Sequence, residues 1–246
     1  MIKALSPTCA TIACVLLLSG AAGAQSMKEM RAVYAEGRFV EAADLGATLK
    51  TSESHALAAQ SLAMQGHFFA KGDEKKALFQ RAVELAEEAV RLDPANPEAH
   101  IQLAHTTGRY GQALGFLQAV TGGYATKVRE SIEEALRLDP DKPGAHLSLA
   151  TWHAEIVNAA GPMAGFLYGA SASKARRHYA RTLEIMPNAK VVCVEYAFGL
   201  LLLDEEGNRE EARGLLERAL EKPSKDAVDR LYHEQAVARL AALKDG

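Results

Sequence analysis

The segment Trp152-His153-Ala154-Glu155 is the one short stretch of this chain that combines residue types used in catalysis. On a helix, His153 and Glu155 would point about 200° apart, so their side chains cannot converge on one atom. A zinc-protease helix instead needs two histidines four positions apart with a glutamate between them. The sequence also lacks a nucleophile motif, a phosphate-binding loop and a set of cysteine ligands. These patterns predict a protein that is not an enzyme and that carries no cofactor and no metal.

The elements that must position this segment are repeated along the chain. Arg91-Leu92-Asp93-Pro94 returns 46 residues later as Arg137-Leu138-Asp139-Pro140. The Ala99-His100 pair that follows returns as Ala145-His146. A helix that ends at a proline, a short turn and a new helix indicate a stacked array of helical hairpins. We expect the two histidines to form hydrogen bonds where consecutive hairpins meet.

The spacing of these signals predicts a single all-α domain over residues 25–246. Almost no stretch alternates polar and apolar residues as a β-strand would. The predicted hairpins span residues 27–50, 53–92, 97–140, 143–187 and 190–222, and a capping helix spans residues 226–243.

Small residues recur at a fixed spacing in the second helix of each hairpin. Ala82 and Ala89 are seven residues apart with Pro94 five residues further on, and Ala212 and Ala219 repeat the pair. Small side chains let two helices approach closely, and proline ends a helix because it lacks an N–H donor. The chain therefore resembles tetratricopeptide repeat (TPR) proteins. That resemblance implies an α-solenoid that acts by binding on its concave face.

The third and fourth hairpins are longer than an ordinary repeat because each contains an insertion. The segment 111–117 reads GQALGFL, and the segment 161–167 reads GPMAGFL. Each predicts a short apolar helix, which either fills the inside of the superhelix or lines an apolar pocket. We expect Phe116, Trp152, Phe166 and Tyr168 to meet around one apolar space on the concave side. His153 or Glu155 would lie at its polar rim.

The enlarged hairpins carry a narrower resemblance. The Ala99-His100 opening, the lengthened connection and the Trp152-His153 pair resemble the regulator of microtubule dynamics family, from about Lys75 to the capping helix. Exported bacterial TPR proteins share this layout. The resemblance implies a binding protein with TPR-like repeats.

The first 24 residues have the pattern of a cleaved secretory signal peptide. Lys3 precedes an apolar run over residues 10–18, and Ala22-Gly23-Ala24 provides the small residues of a cleavage site. We expect cleavage after Ala24 and a periplasmic or secreted protein that does not span a membrane. Cys193 alone would remain, as a buried thiol in an apolar run. With 28 basic and 31 acidic residues, the chain shows no basic excess for binding nucleic acid.

A basic cluster on the second helix of the fourth hairpin has two interpretations. Lys174, Arg177, His178 and Arg181 could bind an anionic ligand. Alternatively, the arginines form surface ion pairs with acidic residues of the preceding hairpin, Arg177 with Glu130 and Arg181 with Glu134.

Two classes of binding function remain for the chain as a whole. The first is a scaffold that binds an envelope protein or peptide on the concave face. The alternative is a carrier or sensor of a small apolar ligand, such as a lipid acyl chain.

Overall fold

The computed structural model describes residues 26–245, apart from the side chains of Phe116, Leu117, Lys244 and Asp245. The predicted signal peptide and its cleavage site lie outside the described residues. Within residues 26–245 the chain forms helices and no strands. The helices are α1 (26–36), α2 (Phe39–Thr48), α3 (Ser52–Phe68), α4 (Gly72–Leu92), α5 (Pro97–Leu114), α6 (Phe116–Thr121), α7 (Tyr124–Leu138), α8 (Pro143–Ala160), α9 (Ala164–Tyr168), α10 (Ala172–Ile185), α11 (Lys190–Leu203), α12 (Arg209–Leu220) and α13 (Ala227–Asp245), with a 3₁₀ turn at Gly161–Met163 between α8 and α9.

The helices pair into the five predicted hairpins, followed by the predicted capping helix. The pairs are α1–α2, α3–α4, α5–α7, α8–α10 and α11–α12. Pro97 and Pro143 occupy the first turns of α5 and α8. Proline is tolerated there because a backbone N–H in the first turn would have no acceptor within the helix. The small residues predicted at helix contacts, such as Ala82 and Ala89, are fully buried. The all-α solenoid is therefore confirmed.

The insertions form the short helices α6 and α9. However, these helices do not begin at equivalent positions of the similar segments 111–117 and 161–167. Helices α5 and α8 end 46 residues apart, and each is followed by a glycine with positive φ, Gly115 (91°) and Gly161 (52°). Segment 111–114 therefore belongs to α5, whereas its apparent copy at 161–164 lies beyond α8. The length of the first helix is set by packing within the hairpin, so the insertion can start only where that helix ends.

The two ends of the solenoid touch. The rings of Tyr232 on α13 and Phe68 at the end of α3 lie 5.8 Å apart, edge to face. The Gln235 amide donates a hydrogen bond of 3.3 Å to Nε2 of His67. Ala227 reaches so close to Gly37 that a Cβ at residue 37 would lie 2.9 Å from it. Helix α13 therefore bridges the last hairpin and the first two, in addition to covering the final exposed face.

Candidate functional site

The first helices of the hairpins line a partly open central cavity of about 300 Å³. Its walls come from α1, α3, α5, α8, α11 and α13, with further contributions from α7 and α10. Residues from both ends of the chain line it, because α13 approaches the first two hairpins. The residues that line the central cavity include Tyr34, Ile101, His105, Arg109, Gln112, Val128, Ile132, Leu147, Thr151, Trp152, Glu155, Val191, Glu195 and Tyr232.

The cavity has an apolar part and a polar part. Along α5 the lining residues change from Ile101 near its beginning to Arg109 and Gln112 near its end. Along α8 they change in the same way, from Leu147 to Glu155. As first helices of consecutive hairpins, α5 and α8 run in the same direction, so their apolar ends lie together and their polar ends lie together.

The polar part contains one cation and two carboxylates linked to neutral partners. Gln112 Nε2 donates a hydrogen bond of 2.7 Å to Glu155, and the Tyr232 hydroxyl donates one of 3.1 Å to Glu195. Arg109 donates only long bonds, of 3.4 Å to His105 Nε2 and 3.5 Å to Gln112 Oε1. Among the described residues, no carboxylate oxygen lies within 4.0 Å of its guanidinium nitrogens. Arg109 is thus a half-buried cation without an ion pair.

Burial and the Arg109 charge shift the ionisation of the groups around it. Desolvation, followed by the charge of Arg109, lowers the pKa of His105 to about 3. The same two causes, with Lys75 in addition, lower the pKa of His67 to about 3. Desolvation raises the pKa of Glu155, and nearby Arg109 partly opposes that rise. Both histidines are therefore neutral at pH 7, which leaves Arg109 as the cation of the polar part.

The predicted site residues do not share one apolar space. Trp152 and Glu155 line the central cavity, whereas His153 and Tyr168 line a separate groove on the outside of the solenoid. Phe166 is 85% exposed and lies at neither place. The side chain of Phe116 is not among those described. The expectation of a single aromatic pocket was wrong because consecutive residues of α8 face different sides, and because α9 projects outwards with Leu167 also 56% exposed.

The outer groove, of about 260 Å³, lies between α7 and α10, the second helices of the two enlarged hairpins. Its lining residues are Arg129, Glu133, Leu149, His153, Tyr168, Gly169, Lys174, Arg177 and His178. The expected surface pairing of Arg181 with Glu134 was wrong. Arg181 instead pairs with Asp141 at 2.7 Å, and Glu134 pairs with Arg137 on its own helix at 2.6 Å. Among the described residues, Arg177 has no carboxylate within 4.0 Å, so its pairing with Glu130 is not formed either.

The histidines at the hairpin junctions form the expected hydrogen bonds. Nε2 of His100 donates to the carbonyl of Pro94 at 2.9 Å, and Nε2 of His146 donates to the carbonyl of Pro140 at 3.0 Å. When His146 is neutral, its bare Nδ1 accepts a hydrogen bond of 2.9 Å from Nδ1 of His178. Both repeat histidines are therefore used to join hairpins.

Sequence reasoning missed Arg109, Glu195 and Tyr232. The available signal was the 46-residue offset, which places Arg109 and Glu155 at equivalent positions of consecutive first helices. Opposite charges at equivalent positions of adjacent helices can lie close together, which could have indicated a shared polar site. Nothing local to the sequence indicated that Tyr232 would reach Glu195, because that contact depends on how α13 folds back.

Two further observations concern membrane-spanning helices and metal sites in the described part of the chain. Residues 26–245 contain no helix that is long and apolar enough to cross a membrane. The same residues hold no group of three or more His, Cys, Asp or Glu side chains placed to bind a metal ion.

The chain is similar to a known protein family and to solved structures of other proteins. A family profile described as "Regulator of microtubule dynamics protein 1-3" matches residues 29–244. A search of curated proteins finds no match. Among solved structures, a thermophilic TPR protein of Thermus thermophilus is similar, with a TM-score of 0.62 and 18% identity over 88% of this chain and 99% of that chain. The MamA protein is 17% identical over 82% of this chain and 92% of that one, with a TM-score of 0.38.

The family profile and the Thermus structure agree with the hairpin architecture. The Thermus structure shows the TPR fold and, at 18% identity, nothing more. The family profile covers the five hairpins and nearly all of α13. The chain belongs to the regulator of microtubule dynamics family and has a TPR-like α-solenoid fold.

Proposed function

We propose that this protein is a non-enzymatic binding protein whose central cavity holds a small amphipathic acid, with an apolar body and one carboxylate. The observation that carries the proposal is Arg109, a half-buried cation without an ion pair at the polar end of a cavity whose other end is apolar.

The apolar end suits an acyl chain of modest length. Ile101, Ile132 and Leu147 supply branched aliphatic surface there, and each buried CH₂ of a ligand gains about 0.8 kcal/mol. Ligand pockets range from about 300 to 1,000 Å³, so a cavity of about 300 Å³ is at the small end. That size favours a short or medium chain over a folded peptide segment.

The polar end suits a carboxylate head. A guanidinium binds a carboxylate through two parallel hydrogen bonds, and burial strengthens such a pair because little water competes. Glu155 and Glu195 already accept hydrogen bonds from Gln112 and Tyr232, so they do not need the ligand. Since Glu155 has a raised pKa, its repulsion of an incoming carboxylate is reduced.

The fluorescence of Trp152, the single tryptophan of the chain, tests this proposal. Titration with decanoate in phosphate-free buffer should shift its emission and saturate, because Trp152 lines the cavity. Arg109→Gln should weaken binding by roughly tenfold or more, the value of a charge-assisted hydrogen bond. Arg230→Gln, on the exposed side of α13, is the matched control and should bind like the wild type.

Decanol provides the second arm, since it keeps the chain and lacks the carboxylate. Decanol should bind the wild type more weakly than decanoate does. The Arg109→Gln variant should bind decanol and decanoate equally. Equal decanoate binding by wild type and Arg109→Gln would overturn the role of the carboxylate. A Trp152 emission that no ligand of this class changes would overturn the cavity proposal.

A protein partner is the second candidate function, and α9 is the feature that favours it. Phe166 and Leu167 expose adjacent apolar side chains, which soluble proteins usually keep for contacts with other molecules. A photo-crosslinking residue at position 166 should then capture one defined partner, and Phe166→Asp should abolish complex formation while leaving decanoate binding unchanged. Capture of many unrelated proteins would count against a specific partner.

We further propose that residues 1–24 direct export and are removed after Ala24. The pattern of Lys3, an apolar run and Ala22-Gly23-Ala24 supports this. The intact mass of the protein recovered from its own cell envelope should correspond to a chain beginning at Gln25. A mass that includes Lys3 would contradict the proposal.

A further inference from the structure

We propose that the outer groove between α7 and α10 is a second binding site, separate from the central cavity, and that it takes a phosphate group. The residues that would bind the phosphate are His153 at the floor of the groove and Arg129, Lys174 and Arg177 around it.

His153 is the part of this groove that most needs a ligand. Its side chain is only 5% exposed, and Nδ1 has no hydrogen-bond partner among the described residues. A buried polar atom without a partner costs free energy, commonly about 1–3 kcal/mol. The ring is fixed between Trp152, 5.0 Å away, and His178, 6.1 Å away. An acceptor oxygen in the groove would give Nδ1–H the partner that the protein does not provide.

Arg129 is held at the groove with a donor unused. One of its terminal nitrogens donates to the carbonyl of Tyr168 at 3.0 Å, and its guanidinium lies 5.8 Å from the Trp152 ring. Its Nε is buried and forms no hydrogen bond. The carboxylate of Glu133 is 3.5 Å from that nitrogen but is not aligned to accept from it. The guanidinium is therefore held in place by three neighbours, while its buried Nε–H has no acceptor among the described residues.

The remaining charges leave the groove positive. Lys174 Nζ donates to the carbonyl of Gly169 at 2.8 Å, which uses one of its three N–H groups. Arg177 has no ion pair among the described residues. Glu133 is the one carboxylate among the lining residues, against three cations. The positive surroundings add to burial in lowering the pKa of both His153 and His178 to about 4.

A phosphate matches this arrangement better than a carboxylate does. Two cations in excess of the single carboxylate correspond to the charge of about −2 that a phosphate monoester carries near neutral pH. Donors approach from α7, α8 and α10, and a tetrahedral oxyanion presents oxygens in several directions, whereas a carboxylate presents two in one plane. A volume of about 260 Å³ also leaves room for a small group bonded to the phosphate.

Calorimetric titration with inorganic phosphate, at constant ionic strength, tests the site. The wild type should show saturable binding with one phosphate per chain. Arg177→Gln and Lys174→Gln alter exposed side chains and should fold normally, yet each should weaken binding by roughly tenfold. Arg230→Gln is the matched control and should bind as the wild type does. His153→Phe, which keeps an aromatic ring and removes both nitrogens, should also weaken binding, with its folding checked by circular dichroism.

Resonances of the imidazole nitrogens locate the ligand. Phosphate should shift the His153 ring signals, whereas those of His105 in the central cavity should not move. A comparison of glycerol 3-phosphate with inorganic phosphate distinguishes the source of the group, and glycerol alone should not bind. Tighter binding of the ester than of inorganic phosphate assigns an organic phosphate, and the reverse order assigns free phosphate. Binding that is absent, or that Arg230→Gln weakens as much as Arg177→Gln does, would overturn the proposal.

Discussion

The third and fourth hairpins share one backbone plan and differ in the charge of their outer surfaces. His100 and His146 occupy equivalent positions, and each bonds the carbonyl of the proline that ends the preceding helix. On the second helices, however, Glu130 of α7 corresponds to Arg177 of α10. The histidine–carbonyl contacts that join consecutive hairpins are therefore repeated, whereas the exposed residues of the second helices differ. The sign reversal at this position gives the outer groove a cation, Arg177, that the third hairpin lacks at the equivalent place.

The interior differs between the same two hairpins as well. Ile132 of the third corresponds to Tyr179 of the fourth, and both are fully buried. Tyr179 also stacks on Tyr196 at 4.8 Å and shares a hydrogen bond of 3.2 Å with Thr151. The fourth hairpin is thus tied to the fifth through a large aromatic contact that the third hairpin lacks.

The largest effect we expect comes from truncating these two residues. Tyr179→Ala should lower the free energy of unfolding by about 3–5 kcal/mol, because it removes a buried ring and leaves a cavity. Ile132→Ala should cost about 2–4 kcal/mol. Urea denaturation followed by circular dichroism measures both, and Tyr179→Phe, which removes only the hydroxyl, should cost about 1 kcal/mol. A smaller loss for Tyr179→Ala than for Ile132→Ala would contradict the stronger anchoring of the fourth hairpin.

The second prediction concerns the stability of the protein in acid, to which the third and fourth hairpins each contribute a buried histidine. The pKa of His105 in the third hairpin is lowered to about 3, and that of His153 in the fourth to about 4, in both cases mainly by burial. Below pH 6.5 the unfolded chain binds protons that the native chain does not, so stability should fall as the pH decreases from about 6.5 towards 4. Each such group contributes up to about 1.4 kcal/mol per pH unit.

Glu155 opposes this trend, since its raised pKa adds stability as the pH falls towards 4.5. The unfolding free energy measured at intervals between pH 7 and pH 4.5 should nevertheless decrease, because His67 and His178 act in the same direction as the other two histidines. His105→Gln and His153→Gln should each reduce the slope. A slope that neither substitution changes would mean that other groups cause the acid sensitivity.

The smallest effect on stability should come from the exposed charges that distinguish the two second helices. Arg177→Gln should change the free energy of unfolding by less than about 0.5 kcal/mol, because Arg177 lacks an ion pair among the described residues. Glu130→Gln on α7 is the equivalent substitution and should be as mild. Thermal melts of both variants measure this. A marked destabilisation by Arg177→Gln alone would contradict this prediction, because it would show that Arg177 stabilises the fold and Glu130 does not.

Local signals were sufficient to predict most of the fold. Ser171 caps α10 by accepting a hydrogen bond from the backbone of Lys174, and Gly169 takes the left-handed conformation that ends α9, both as the residue types indicate. The same reasoning failed for the copy of segment 111–117, because the similar segment 161–167 falls beyond the end of α8. Packing along a whole helix sets where that helix ends, so a short similarity between two segments does not predict that they take equivalent places in the repeat.

The candidate sites were predicted less well, for a geometric reason. Sequence spacing located Trp152, His153 and Glu155 on one helix but did not indicate which side of α8 faces the cavity. That orientation depends on the rotation between successive hairpins, and small rotations add up over five repeats. As a result Glu155 lies in the cavity and His153 in the outer groove, two residues apart in the chain.

The sequence by itself determined the number of hairpins, their order and their approximate bounds, because helix caps, prolines and small contact residues act over a few positions. Only the tertiary structure decided that α13 meets the first two hairpins, through contacts such as that between His67 and Gln235. It also decided that Arg109 would be enclosed without an ion pair. Contacts between the two ends of a solenoid follow from its overall curvature, which no single repeat encodes.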